Sequence, residues 1–142
     1  MVDEAGAAIP TRVLRAFLWA ARRTDEHIAD LSLSIVMDDG AYRAPRNYMM
    51  VLDEEAEDGV IRVAPQAARL ESPTLRAMFM HEIGHVLQSC GLDTDRDDID
   101  EEQEADYIVR KMTGVQIGYD PETMLQCFRR PGCIYPRPAG LR

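Results

Sequence analysis

In Ser72-Pro73-Thr74-Leu75-Arg76-Ala77-Met78-Phe79-Met80-His81-Glu82-Ile83-Gly84-His85-Val86-Leu87-Gln88-Ser89-Cys90-Gly91, two histidines stand four residues apart around a glutamate. Ser72 can cap a helix, Pro73 suits its first position and Gly91 is a natural terminator, so the spacing predicts a helix from 72 to about 90. At about 100° per residue, Leu75, Phe79, Ile83, Val86, Leu87 and Cys90 share one apolar face. His81, His85 and Gln88 fall on the opposite face, so the expected helix is anchored by its back with both histidines looking out. Side chains four apart lie nearly above one another, and two imidazoles so placed can hold one metal ion. Glu82 projects about 100° around from His81, within reach of a water beside that ion without ligating it. Surface histidines are the plain alternative, yet the chain has only three histidines and two of them take this spacing.

Upstream, Pro10 to about Asp25 reads as an amphipathic helix carrying Val13, Leu14, Phe17, Leu18 and Ala21. Leu31 to Met37, Tyr48 to Leu52 and Gly59 to Ala64 read as three short strands, punctuated by Asp38-Asp39-Gly40 and by Pro65. Downstream, Asp98 or Asp100 can cap a helix running through Met112 and closed by Gly114, and Asp120-Pro121-Glu122 signals a short last helix to about Phe128. The order is helix, three strands, three helices. That is an α+β domain over residues 1–130, followed by an irregular, proline-rich tail over 131–142.

At 142 residues the chain can build one core but not two. With 46% hydrophobic and 29% charged residues it has the balance of a folded globular protein. A formal charge of −9 excludes phosphate-backbone binding as the main activity, so no nucleic-acid partner is expected. No apolar run approaches the roughly 20 residues that span a bilayer, so no membrane association is expected either. Met1 to Ala8 has two acids and no basic stretch, unlike a secretory signal, which makes a cytoplasmic location the default. Cys90, Cys127 and Cys133 have no short paired spacing and do not read as a disulfide framework or a cysteine zinc site. Any metal must then be held mainly by histidine and carboxylate.

Catalytic metal sites usually take three protein ligands and leave a fourth position open. The acids Glu101, Glu102 and Glu104 of the next helix are all candidates for the third ligand, and spacing does not choose among them. The stretch Glu102-Gln103-Glu104-Ala105-Asp106, following His81-Glu82-Ile83-Gly84-His85, resembles the gluzincin metallopeptidases, which join a His-Glu-x-x-His helix to a later helix carrying Glu-x-x-x-Asp. The likeness covers about Leu75 to Thr113. The chain lacks the extra subdomain of larger gluzincins and looks closer to the minimal single-domain members, the minigluzincins, and somewhat like short metalloprotease domains that process phage-type repressors.

The resemblance implies a zincin-like fold and a Zn2+ ion held by His81, His85 and Glu102. It also implies that Asp106 supports His81 by accepting its other ring N–H, and that Glu82 is the general base of peptide hydrolysis. An extended peptide substrate pairing with the sheet edge would follow. Such enzymes commonly add a Tyr or His to steady the oxyanion, for which Tyr107, Tyr119, Tyr135 and His27 are all candidates. The basic tail from Arg129 to Arg142 could lie across an acidic cleft and keep the enzyme latent, with Cys133 reaching the metal. The competing expectation is an idle zinc-bearing scaffold of the same fold, against which Glu82 argues, because a structural zinc needs no general base.

Overall fold

The computed structural model describes residues 2, 6–25, 32–39, 49–53, 55–89, 101–123, 125–129 and 132. It is α+β. Helix α1 spans Thr11–Thr24, and strands β1 (Leu33–Met37), β2 (Met50–Leu52) and β3 (Gly59–Val63) follow. A 3-10 turn at Pro65–Arg69 leads into α2 (Ser72–Ser89), then come α3 (Glu101–Thr113), β4 (Ile117–Tyr119) and β5 (Gln126–Phe128).

The three strands form a mixed sheet in the order β1-β3-β2, with β1 parallel and β2 antiparallel to the central β3. In β3, Gly59, Ile61 and Val63 are buried while Val60 and Arg62 lie on the more open face, the period-two pattern of a sheet packed on one side. Arg62 reaches across that open face to Asp53 beyond β2 (2.8 Å) and Asp38 beyond β1 (3.1 Å), tying the ends of the two outer strands together. Burial works against the Asp53 charge, but the Glu55 N–H and the Arg62 guanidinium outweigh it and hold this carboxyl below its ordinary range.

Helix α1 buries Val13, Ala16, Phe17, Ala20 and Thr24, a stripe at helical spacing. Phe17 meets Phe79 of α2 edge to face, with centroids 5.5 Å apart. Leu18, expected in that stripe, is instead exposed.

Helix α2 departs from the two-faced helix expected of it. Every residue from Ala77 to Leu87 is buried, both histidines and Glu82 included. The helix is the axis of the molecule, covered by α1, α3, the sheet and β5, so it has no solvent face for the histidines to occupy. An all-round buried helix is stable only where its polar groups have partners, and the site below supplies them. Helix α3 buries Ala105, Ile108 and Val109 and ends where expected, at Gly114, whose φ of 78° suits glycine and whose N–H closes on Arg110 O.

The short last helix is also corrected: Ile117–Tyr119 and Gln126–Phe128 pair as antiparallel strands. Asp120 Oδ1 does accept the N–H groups of Glu122 (2.9 Å) and Thr123 (3.0 Å), as a helix cap would. The chain then turns back, and Asp120 N–H bonds to Leu125 O, because pairing β5 with β4 buries Ile117, Tyr119, Gln126 and Cys127. Cys127 is disulfide-bonded, against the expectation from cysteine spacing, and its partner lies outside the described residues. Structural disulfides persist mainly in oxidising compartments, so this bond and the cytoplasmic default pull in opposite directions. Among the described residues no helix is long and apolar enough to cross a membrane.

Candidate metal centre

Two helices build the site. One turn of α2 stacks His81 and His85, with ring centroids 4.8 Å apart and planes 87° to each other. Helix α3 then comes unusually close at Gly84, where a built Cβ would lie 2.6 Å from Ala105 O. That approach lets the first turn of α3 deliver Glu102 between the two rings. Glu102 Oε2 is 2.8 Å from His81 Nε2 and 3.0 Å from His85 Nε2, and the two Nε2 atoms are 3.2 Å apart. Three ligand atoms thus form a small triangle, and this is the one group among the described residues that could hold a metal ion.

The chemistry of the triangle asks for a cation. His81 Nδ1 lies 2.6 Å from Asp106 Oδ1, a fully buried carboxylate that can only accept, so the ring proton sits on Nδ1. The neutral ring then turns a bare Nε2 lone pair toward the Glu102 carboxylate, two acceptors at 2.8 Å. Either a proton or a metal must lie between them. A tetrahedral ion with ligands at about 2.1 Å would set ligand atoms roughly 3.4 Å apart, so the observed edges of 2.8, 3.0 and 3.2 Å would open by a few tenths of an ångström on binding. The donor set of two imidazoles and one carboxylate fits a divalent ion.

The electrostatics agree. Burial opposes charging His81, but the Asp106 carboxylate, the Glu102 hydrogen bond and the Glu82 charge outweigh it and raise the ring to about 9. Burial likewise opposes the Glu102 charge, and its bonds to His81 and His85 override that, leaving it far below the usual carboxylate range. Below pH 9 the metal-free site therefore keeps a proton where a metal would bind. Metal uptake should release that proton, so apparent affinity should rise about tenfold per pH unit across pH 6.5 to 8.5 and level off near 9. Calorimetry at pH 7 in two buffers of different ionisation enthalpy should count about one proton released, and a count near zero would refute the shift. The same raised value stabilises the metal-free fold fully below 6.5, an increment lost as pH climbs toward 9.

Glu82 is 2% exposed, and its Oε2 accepts the Leu52 N–H at 3.1 Å. Asp53 N–H and Met49 O bond to β3, so Leu52 N–H points off the outer edge of β2, toward α2. A cleft of about 480 Å³, within the usual range for ligand sites, runs from Leu52 and the β2–β3 turn to His85 and Gln88.

Of the residues singled out in the sequence, His81, His85 and Glu102 come together as the three ligand atoms and Asp106 bonds His81 behind them. Glu82 is buried on the same helix, its charge felt at His81 and one oxygen bonded to the Leu52 N–H. Glu101 and Glu104 do not reach the rings: Glu101 is exposed and offers its backbone carbonyl to Gln88, and Glu104 offers Oε1 to the same amide. Tyr119 is wholly buried in β4, and Tyr107 lies on α3 under Arg110. His27, Tyr135, Cys133 and the tail apart from Arg129 and Gly132 fall outside the described residues. Compared with known proteins, the chain matches no family model, no curated protein and no solved structure. The geometry supports a candidate metal site of His81, His85 and Glu102, and the resemblance to gluzincins rests on the motif residues alone.

Proposed function

We propose that this protein is a zinc-dependent peptidase of the gluzincin type, with the metal held by His81, His85 and Glu102. The observation that carries the reading is the convergence of three lone-pair-bearing atoms within 3.2 Å of one another at the edge of a cleft. Zinc at that point supplies a Lewis acid for the scissile carbonyl and lowers the pKa of a water to about 7.

The chain's own residues do the rest. Asp106 holds His81 in the tautomer that leaves Nε2 free, and raises its basicity. Glu82 takes the attacking water's proton and passes it to the leaving amine nitrogen, which departs as an amine. The Leu52 N–H fixes one oxygen of that carboxylate, so its direction does not depend on packing alone. An extended peptide lies along β2, with a side chain in the cleft beside His85.

A buried Glu82 also favours the enzyme over the idle scaffold. Burying a carboxylate is unfavourable, and zinc retention alone would not require it.

Protein purified without a histidine tag, stripped and reconstituted, should carry one zinc per chain. Glu102→Ala should weaken zinc binding by about 100-fold or more in chelator competition, since one of three protein ligands is lost. Cleavage of a mixed peptide pool, read by mass spectrometry, should appear only with metal restored. Failure to take up any divalent metal would end the proposal. Uptake without cleavage would leave the scaffold as the surviving reading.

A further inference from the structure

We propose that Gln88 is a positioning residue: it holds His85 with its Nε2 lone pair turned to the metal position and ties that ring to the turn of α3 that carries Glu102. The inference rests on the metal-centre reading and assigns a role to a residue outside the motif.

The amide's orientation follows from its partners. One end of Gln88 lies 2.8 Å from the Glu101 carbonyl oxygen and 3.1 Å from Glu104 Oε1. The carbonyl carries no proton, so the NH2 group must face it. The amide oxygen then faces His85 Nδ1, at 2.7 Å. An amide oxygen only accepts, so Nδ1 must hold the ring proton and Nε2 must be bare. That bare Nε2 is the atom 3.0 Å from Glu102 Oε2 and 3.2 Å from His81 Nε2.

The two rings are thus set alike by different means. His81 is oriented by a carboxylate from the neighbouring helix, His85 by a neutral amide one turn ahead on its own helix. The neutral partner adds no second negative charge behind the site. Its donor end bridges the last turn of α2 to the first turn of α3, where Glu101 and Glu104 flank the ligand Glu102. Losing an outer partner of a metal-bound histidine typically costs 10- to 100-fold in affinity.

Three variants separate the orienting role from a mere tie between helices. Gln88→Leu removes both ends of the link. Gln88→Lys keeps a donor for Glu101 O but cannot accept from His85. Gln88→Glu keeps the acceptor but loses the donor. The expected result is a loss of about 10- to 100-fold in zinc affinity for the Leu and Lys variants, with the Glu variant within about threefold of the parent. Long-range 1H–15N spectra of the zinc-loaded protein should show the His85 proton on Nδ1. Its resonance should persist in the Glu variant and exchange away in the other two.

Gln88 is only part-buried at the end of α2, and thermal melts of the metal-free proteins check that each variant folds. Should Leu fail to fold, the Lys and Glu pair still decides. Parent-like affinity in the Leu or Lys variant, or a Glu variant as weak as Lys, would overturn the role of Gln88 while the metal centre stands. A parent protein that takes up no zinc would bring down both.

Discussion

Glu82→Gln is expected to cut peptide cleavage by about 100- to 10,000-fold, the usual contribution of a general base, while zinc content stays the same. The substitution keeps the side chain's shape, and a glutamine oxygen can still accept the Leu52 N–H now bonded to Oε2. What vanishes is the capacity to take a proton. Metal binding should not weaken, because Glu82 is not among the three ligand residues. The Glu82 charge helps raise His81; its removal should ease proton release but also withdraws a charge that attracts the dication, and the two effects oppose each other. Folding stability should hold or increase, since a carboxylate only 2% exposed is replaced by a neutral amide. Cleavage rate, zinc content and melting temperature would be measured on the same preparation. Undiminished cleavage in the zinc-loaded variant would remove Glu82 from the mechanism, and loss of zinc would show that its carboxylate belongs to the coordination itself.

Much of the site was legible because its parts are local. His81, Glu82 and His85 occupy one turn of a helix whose start is marked by Ser72-Pro73, and Gly114 marks the end of its partner. Val60, Ile61 and Val63, closed by Pro65, likewise marked the third strand, though only the pairing shows that it is the central one. What could not be read depends on contacts between segments. A helical wheel sorts polar from apolar residues, but cannot tell that His81 and Glu82 are buried because Asp106, Glu102 and Leu52 satisfy them. Asp120-Pro121-Glu122 shows the chemistry common to helix caps and tight turns. Only the pairing of Gln126–Phe128 with Ile117–Tyr119 decides between them. Gln88 was visible on the histidine side, three residues past His85, yet its role needs the Glu101 carbonyl, which orients the amide.

Gly84→Ala is expected to weaken zinc binding by about 100-fold or more, although residue 84 touches no metal ligand through a side chain. In a solvated helix the change would help, by about 1 kcal/mol of helix propensity. Here the added methyl would sit 2.6 Å from Ala105 O, inside the 3.0 Å limit that real Cβ contacts respect, and 3.0 Å from Ala105 C, at that limit. Both atoms are backbone, so neither can rotate away as a side chain would. Helix α3 must back off as a unit by about half an ångström, and overpacking of this kind costs about 1–3 kcal/mol, enough to cancel the propensity gain. Ala105 lies between Glu102 and Asp106, so the retreat carries off the third ligand and the partner of His81 together. Metal sites tolerate only about 0.2 Å in ligand distance, which is why affinity should fall far more than stability. Melting of the metal-free variant should drop by a few degrees at most, while chelator competition shows the large loss. Adding Ala105→Gly should not restore binding, because the obstructing atom is a carbonyl oxygen that glycine retains. Full zinc affinity in Gly84→Ala would mean that the helices are not held this close, and that Glu102 reaches the rings by some other path.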